Sequence, residues 1–426
     1  MAGVKSIFRK ERDVRGFGLV FVCVVLLVAG EAFGDKPKVS RPAQSCRTLR
    51  MMARLYMACG DYEKSQPLAE QALDLARSKA GSDSELCSCL LDLAYLYSNQ
   101  GRLTDAEALC EEGLELQRKI YYQDHPYVAY TLRILSDIYQ GQGRYRQARE
   151  ALDEAMTIML KSHLPGEQAL ASFQIDIARV LVKQGSLSEA ESRYAEALEL
   201  IKNTYGADHL YTARVLGYLA KLYVLQQRYS EAEPLIDKTL EAQEKVYGKN
   251  HQFLAPARLV KARICQANQD YDQAEKLLRT ALASMGKKQG CENAVVGEVM
   301  NALAEVYIMS GQYSKAEKVC QHALEILQEW FGPENDNTAM ALNNMARLYV
   351  HQQKYAEAED LCTQALTTLE HIFDENHPCV AEVLETMVQV QQKVGNTAEA
   401  AKLEERMEKI RELRQVAYEP VAKAME

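Results

Sequence analysis

Apolar residues recur along this chain in two short helical runs joined by a tight turn, and the pair returns at a nearly constant interval. The stretch from Ala339 to Leu366, AMALNNMARLYVHQQKYAEAEDLCTQAL, shows the unit. Taking its turn residue Gln353 as position zero, the same slot holds Gly60, Gly101, Gly143, Gly185, Gln227, Gln269, Gly311 and Gly395. The first spacing is 41 residues and every later one is 42. Positions −11, −8, −7 and −4 fall on one face of a 3.6-residue helix, and +5, +9 and +12 fall on one face of the next. The pattern predicts helix A, a turn and helix B, repeated nine times, and so an all-α solenoid whose units bury their apolar faces against neighbouring units.

Residue size assigns jobs to the slots. Position +5 is Ser65 and then Ala106, Ala148, Ala190, Ala232, Ala274, Ala316, Ala358 and Ala400. Position −7 is small in eight units, as at Ala178 and Ala220, and −4 is usually tyrosine, as at Tyr97, Tyr139, Tyr223, Tyr307 and Tyr349. Small columns let two helices approach closely while large residues fill the space beside them. At 426 residues the length alone allows two or three globular domains, but the unbroken period points to one array over 45–416.

The small columns, the Leu-Tyr before the turn and the aromatic residue two after it (Tyr145, Tyr229, Tyr271, Tyr313, Tyr355) resemble the tetratricopeptide repeat family. The 42-residue period, the G-x-x-H at Gly206–His209 and Gly248–His251, the His-Pro at His125 and His377, and Leu342-Asn343-Asn344-Met345-Ala346 narrow this to the kinesin-light-chain type. The resemblance implies a right-handed superhelix whose concave face serves as a docking groove. It does not carry a motor's cargo specificity, because Leu91, Ile175, Gly217, Leu259 and Glu385 replace the first asparagine of the pair elsewhere, and no leading heptad coiled coil is present.

The ends depart from the repeat. Lys5, Arg9, Lys10, Arg12 and Arg15 precede an uncharged run from Gly16 to Gly30, and Ala32-Phe33-Gly34 supplies small residues for cleavage before Asp35. Residues 1–34 therefore read as a secretory signal, or as an amino-terminal anchor through residues 17–30 if uncleaved. The expected destination is the periplasm or the exterior, with the membrane touched only through this segment. Residues 35–44 are a proline-punctuated linker. The last helix is rich in charge and caps the stack, followed by a tail at 417–426.

Eleven cysteines invite a disulfide reading in an exported chain. Cys110, Cys320 and Cys362 all occupy core slot +9, and equivalent helices of adjacent repeats lie about 8–10 Å apart, beyond the ~7 Å Cα reach of a disulfide. The cysteines are therefore expected as small buried apolar residues, and Cys87-x-Cys89 lacks a second pair at zinc-binding spacing. His125, His209, His251 and His377 lie eighteen before the turn, where helix A begins, which suits capping or packing better than catalysis. With no phosphate loop, H-E-x-x-H or G-x-S-x-G motif, no catalytic residue, metal or cofactor is expected.

The net charge of −9 disfavours nonspecific nucleic-acid binding. Yet the side of helix A opposite its core face, positions −13, −10, −6 and −2, is locally basic. The −6 column reads Arg54, Tyr95, Asp137, Arg179, Lys221, Arg263, Glu305, Arg347 and Gln389, with Arg133, Arg214, Asn301 and Asn343 nearby at −10 and −13. The expected function is a noncatalytic scaffold that holds an extended acidic segment of a partner against Arg54, Arg133, Arg179, Arg214, Lys221, Arg263, Asn301, Asn343 and Arg347. The alternative is a self-assembling structural or envelope-organising protein that uses its outer faces. Neither the oligomeric state nor the partner's identity follows from the sequence.

Overall fold

A computed structural model describes residues 45–58, 61–78, 82–162, 166–285, 294–373 and 376–416. The leader, linker and carboxy-terminal tail, together with the turn at Gly60, lie outside the described residues. Among the described residues there are eighteen α-helices, one short 3-10 turn and no strand. The helices follow in the order the period predicts: α1 (Cys46–Ala58) and α2 (Tyr62–Ser78), α3 (Asp83–Asn99) and α4 (Leu103–Ile120), α5 (Pro126–Gly141) and α6 (Tyr145–Lys161), and α7 (Glu167–Lys183) and α8 (Leu187–Tyr205). The series continues with α9 (Leu210–Leu225) and α10 (Tyr229–Tyr247), α11 (Ala255–Ala267) and α12 (Tyr271–Met285), and α13 (Ala294–Met309) and α14 (Tyr313–Phe331). It ends with α15 (Asp336–His351) and α16 (Tyr355–Ile372), then α17 (Pro378–Val394) and α18 (Thr397–Val416). By contact density the chain falls into two compact units, one through Leu96 and one from Tyr97 onward.

The slot assignments hold. Every described alanine at +5 and −7 is 3% exposed or less, so both columns are the points of closest helix approach. Ser65, the one hydroxyl in the +5 column, is buried and donates to the Ala53 carbonyl at 2.8 Å, which spans the gap between the two small columns in the first repeat. Tyr97, Tyr139 and Tyr307 at −4 are buried, and Cys265 fills the same slot in the sixth repeat. The next helix presents its +9 residue to this region, buried at Cys110, Leu152, Ile236, Leu278, Cys320 and Cys362.

Each described turn residue at position zero has left-handed backbone, with φ of +73° at Gly143 and +77° at Gly185. Gln227, Gln269 and Gln353 hold the same conformation at φ of +60° to +62°. A side chain there costs about 1–2 kcal/mol against the ordinary helical region, whereas glycine is at home in it. Gln353 is exposed, so its side chain offers little in return. Gln353→Gly should therefore raise stability by about 0.5–1 kcal/mol after the extra freedom of glycine in the unfolded chain is counted. A urea midpoint unchanged or lowered by this substitution would contradict the account.

The histidines are caps. Nδ1 of His125, His209, His251 and His377 accepts the backbone N–H two residues on at 3.2 Å in each case, and Asn335 does the same at 2.9 Å. Repeats are also stitched by the glutamate at +6. Glu191 is buried and accepts from Arg228 of the following repeat at 2.9 Å and from the Tyr223 hydroxyl at 3.1 Å. Glu107 plays the same part for Arg144 at 2.6 Å. The arginine just after the turn lies over the −4 tyrosine ring, 4.0 Å from its centroid at Arg228–Tyr223 and 4.4 Å at Arg144–Tyr139.

Candidate functional site: the inner face of the A helices

From α9 to α17, helix A of one repeat packs beside helix A of the next, so the −6 and −9 to −13 positions of these helices line one wall. In the unit from Tyr97 onward, this wall is closed by contacts between repeats far apart in sequence. The Tyr145 hydroxyl, at the start of α6, donates to Asp336 Oδ1 at 2.6 Å, and Lys183 Nζ, at the end of α7, reaches Asp336 Oδ2 at 2.6 Å. Around this centre Asn335 Nδ2 donates to the Gly141 carbonyl at 3.2 Å, and the Tyr145 ring stacks on Phe373 with centroids 5.4 Å apart. His377 accepts its capping bond at Nδ1, which leaves Nε2 to donate to the Lys183 carbonyl at 3.0 Å. The turns at Gly143 and Gly185 lie against Ile372 and against His377 and Pro378. The expectation that each repeat meets only its neighbours is thus corrected in this unit. Polar side chains at the entries to α15 and α17 reach back to the third and fourth repeats.

Most of the basic inner column is already matched by acids. Arg54, in the first unit, shares Asp92 with Arg50 at 2.6 and 2.8 Å. Arg133 pairs with the buried Asp176, which also lies 3.2 Å from Arg179, while Arg179 is 3.6 Å from Asp137. Glu305 sits between Arg263 at 3.4 Å and Arg347 at 3.5 Å. Burial opposes ionisation of Glu305, but the two guanidiniums outweigh it and hold its carboxyl below the ordinary range. Asn301 Oδ1 accepts from Asn344 at 2.9 Å, and Asn343 is buried with its Oδ1 unpartnered among the described residues.

Lys221 differs from the other cations. It is exposed and forms no ion pair among the described residues, yet the surrounding wall removes enough water to lower its pKa. Glu298 works against that shift, whereas Lys183, Arg263 and Arg179 add to it. Arg214 is also exposed and lies over the Tyr211 ring at 5.4 Å. Of the seven cations among the nine residues read from the sequence, these two form no ion pair with a described acid.

Sequence reasoning missed the acids. Asp92 and Asp176 occupy −9, and the alternation Arg263, Glu305, Arg347 down one column was visible, but counting cations concealed it. It also missed Cys46 and Cys89, whose Sγ atoms are 3.2 Å apart in the first unit. These lie at slots −14 and −12, and the spacing argument from +9 did not apply to them. Cys110, Cys320 and Cys362 are buried as expected. Among the described residues no group of histidine, cysteine and carboxylate side chains could hold a metal ion, and no helix is long and apolar enough to cross a membrane.

Tandem helix pairs repeated at this period make a helical-repeat scaffold of the kind used for protein interactions. The chain belongs to the tetratricopeptide repeat family, whose pattern matches residues 48–81, 86–161, 169–235, 218–287, 295–370 and 338–412. No curated protein matches its sequence. Among solved structures, a Rap protein complexed with competence and sporulation factor is 13% identical, covers 88% of this chain and 100% of its own, and superposes with a TM-score of 0.61. The apo form of RapI is 14% identical over 67% of this chain and 98% of its own, with a TM-score of 0.51. Kinesin-light-chain repeats from Podosopora anserina are 23% identical over 47% of this chain and 94% of theirs, with a TM-score of 0.41. The likeness to the two Rap structures is one of fold.

Proposed function

We propose that the inner face of the unit from Tyr97 onward holds an extended segment of a protein partner, and that an acidic group of that segment is drawn to Lys221, with Arg214 two turns earlier on the same helix. The observation that carries the reading is Lys221 itself. Apart from Arg214, the inner cations around it are paired, so it is a place where a guest carboxylate gains a partner without displacing one. A guest carboxylate beside the Lys221 ammonium favours its charged form and so offsets the loss of water that lowers its pKa. A further support is that a solved neighbour of the same fold holds a bound factor. The basic, apolar and small-residue order of residues 1–34 supports a site of action outside the cytoplasm.

Arg179 and Arg263 take a secondary place in this reading, because each already shares carboxylates. The test is fluorescence anisotropy with a labelled extended peptide carrying aspartate at every third position, compared with the same peptide carrying asparagine. The acidic peptide should bind at least about tenfold more tightly, and Lys221→Glu should remove that advantage. The preference should also weaken as salt rises, since the Debye length is already about 8 Å at physiological ionic strength. Equal binding of the two peptides would overturn acidic selection, and binding of neither would overturn the inner face as a peptide site.

A further inference from the structure

The first unit carries a pair of side chains that the binding reading does not use. Cys46 opens α1, Cys89 lies in the first half of α3, and their sulfurs are 3.2 Å apart. Both are buried, at 5% and 1% exposure, and each thiol points at the Ala72 carbonyl at 3.6 Å. The register that brings them together is held independently. Arg50 and Arg54, one and two turns further along α1, both grip Asp92, three residues beyond Cys89 on α3. A disulfide has an S–S distance of about 2.05 Å, so the two sulfurs need to close by only about 1 Å.

We propose that Cys46 and Cys89 are a disulfide site that fastens α1 to α3 when the chain meets a disulfide oxidant. The thiolate of one cysteine attacks a sulfur of oxidised glutathione and releases one glutathione thiolate, leaving a mixed disulfide. The second cysteine, as thiolate, then attacks the protein sulfur of that mixed disulfide, forming the intrachain bond and releasing the second glutathione thiolate. The protein pair loses two electrons and two protons, and the oxidant's single S–S bond becomes two thiols. Burial raises the pKa of both cysteines, so little thiolate exists in the closed unit. Oxidation therefore takes place during folding or on local opening of α1, and the same burial afterwards shields the bond from reductants.

The bond has a structural purpose. A bond between residues 43 apart encloses all of α2 and ties α1 to α3 without adding apolar surface, so it holds α1 against local opening.

The test uses the full chain, refolded in a glutathione redox buffer, alkylated under denaturing conditions and digested without reduction. Mass spectrometry should find one peptide pair joined through Cys46 and Cys89, about 2 Da lighter than the sum of its thiol forms. Limited proteolysis within α1 and α2 should be at least about fivefold slower for the oxidised chain than for the reduced one, with no such difference in Cys89→Ser. Alkylation of both residues in the wild-type chain after oxidative refolding would overturn the proposal, as would a bond from either one to another cysteine. The mass readout needs no variant, so a substitution that fails to fold does not blunt it.

Discussion

Asp336→Ala is expected to cost about 3 kcal/mol of stability, at the low end of the 3–5 kcal/mol that breaking a buried ion pair removes. Asp336 keeps 7% of its side chain exposed and Lys183 keeps 34%, so the cation left behind recovers some solvation and the full penalty is not reached. Tyr145 loses its acceptor in the same variant, which separates this site from a surface pair of about 0–1 kcal/mol. The decisive measurement is a double-mutant cycle with Lys183→Ala, read by urea unfolding. Additive losses would show that the contact between distant repeats is not energetically real.

The pH dependence follows from the same residues. Burial opposes ionisation of Asp336, but Lys183 and the Tyr145 hydroxyl outweigh it and hold the carboxyl below its usual range. A depressed carboxyl contributes stability above its unfolded value and loses it as pH falls through the folded one. For Lys183 burial works against the charge, yet Asp336 and Glu298 raise its pKa, so its share is present below the unfolded value and is lost as pH rises through the folded one. The gap between wild type and Asp336→Ala should therefore be level from about pH 5 to about pH 9 and close toward both extremes.

Tyr307→Ala should cost at least as much as the loss of Asp336, about 3–5 kcal/mol. The side chain is 1% exposed and packs in the cluster formed by Ala274, Leu278, Val306, Cys320 and Met345. Its hydroxyl donates to Glu275 at 2.9 Å and accepts from Arg279 at 2.8 Å, so truncation opens a cavity and strips two partners at once. Tyr307→Phe keeps the ring and should cost only about 1 kcal/mol, because Glu275 and Arg279 still hold each other at 2.7 Å. If the alanine variant loses less than about 1.5 kcal/mol, the seventh repeat can collapse around the hole, and the close packing inferred from the −4 column is wrong.

The reach of the sequence followed its periodicity. Ala274, Ala316 and Ala358 announced the helix contacts because the same demand recurs in every repeat, and His209 and His251 announced their caps for the same reason. Asp336, Tyr145 and Lys183 could not announce theirs. Each acts once, and the 191 and 153 residues separating Asp336 from its partners leave no local pattern to read. The inner column was legible in part. Its cations were visible, while their neutralisation depended on acids offered by the adjoining repeat, as Glu305 is offered to Arg263 and Arg347. Cys46 and Cys89 escaped because slots two positions apart on successive A helices meet only once the register between those helices is set.

The closure through Asp336 also bears on how the chain reaches its native state. In an open helical array nearly all contacts are short in sequence, so folding can start in any repeat and spread. Joining the third and fourth repeats to the eighth and ninth adds contacts of high sequence separation, whose loop-closure entropy must be met before any bond is made. The ring of contacts around Asp336 is therefore expected to form after the helices between them, and to couple the melting of the third to ninth repeats.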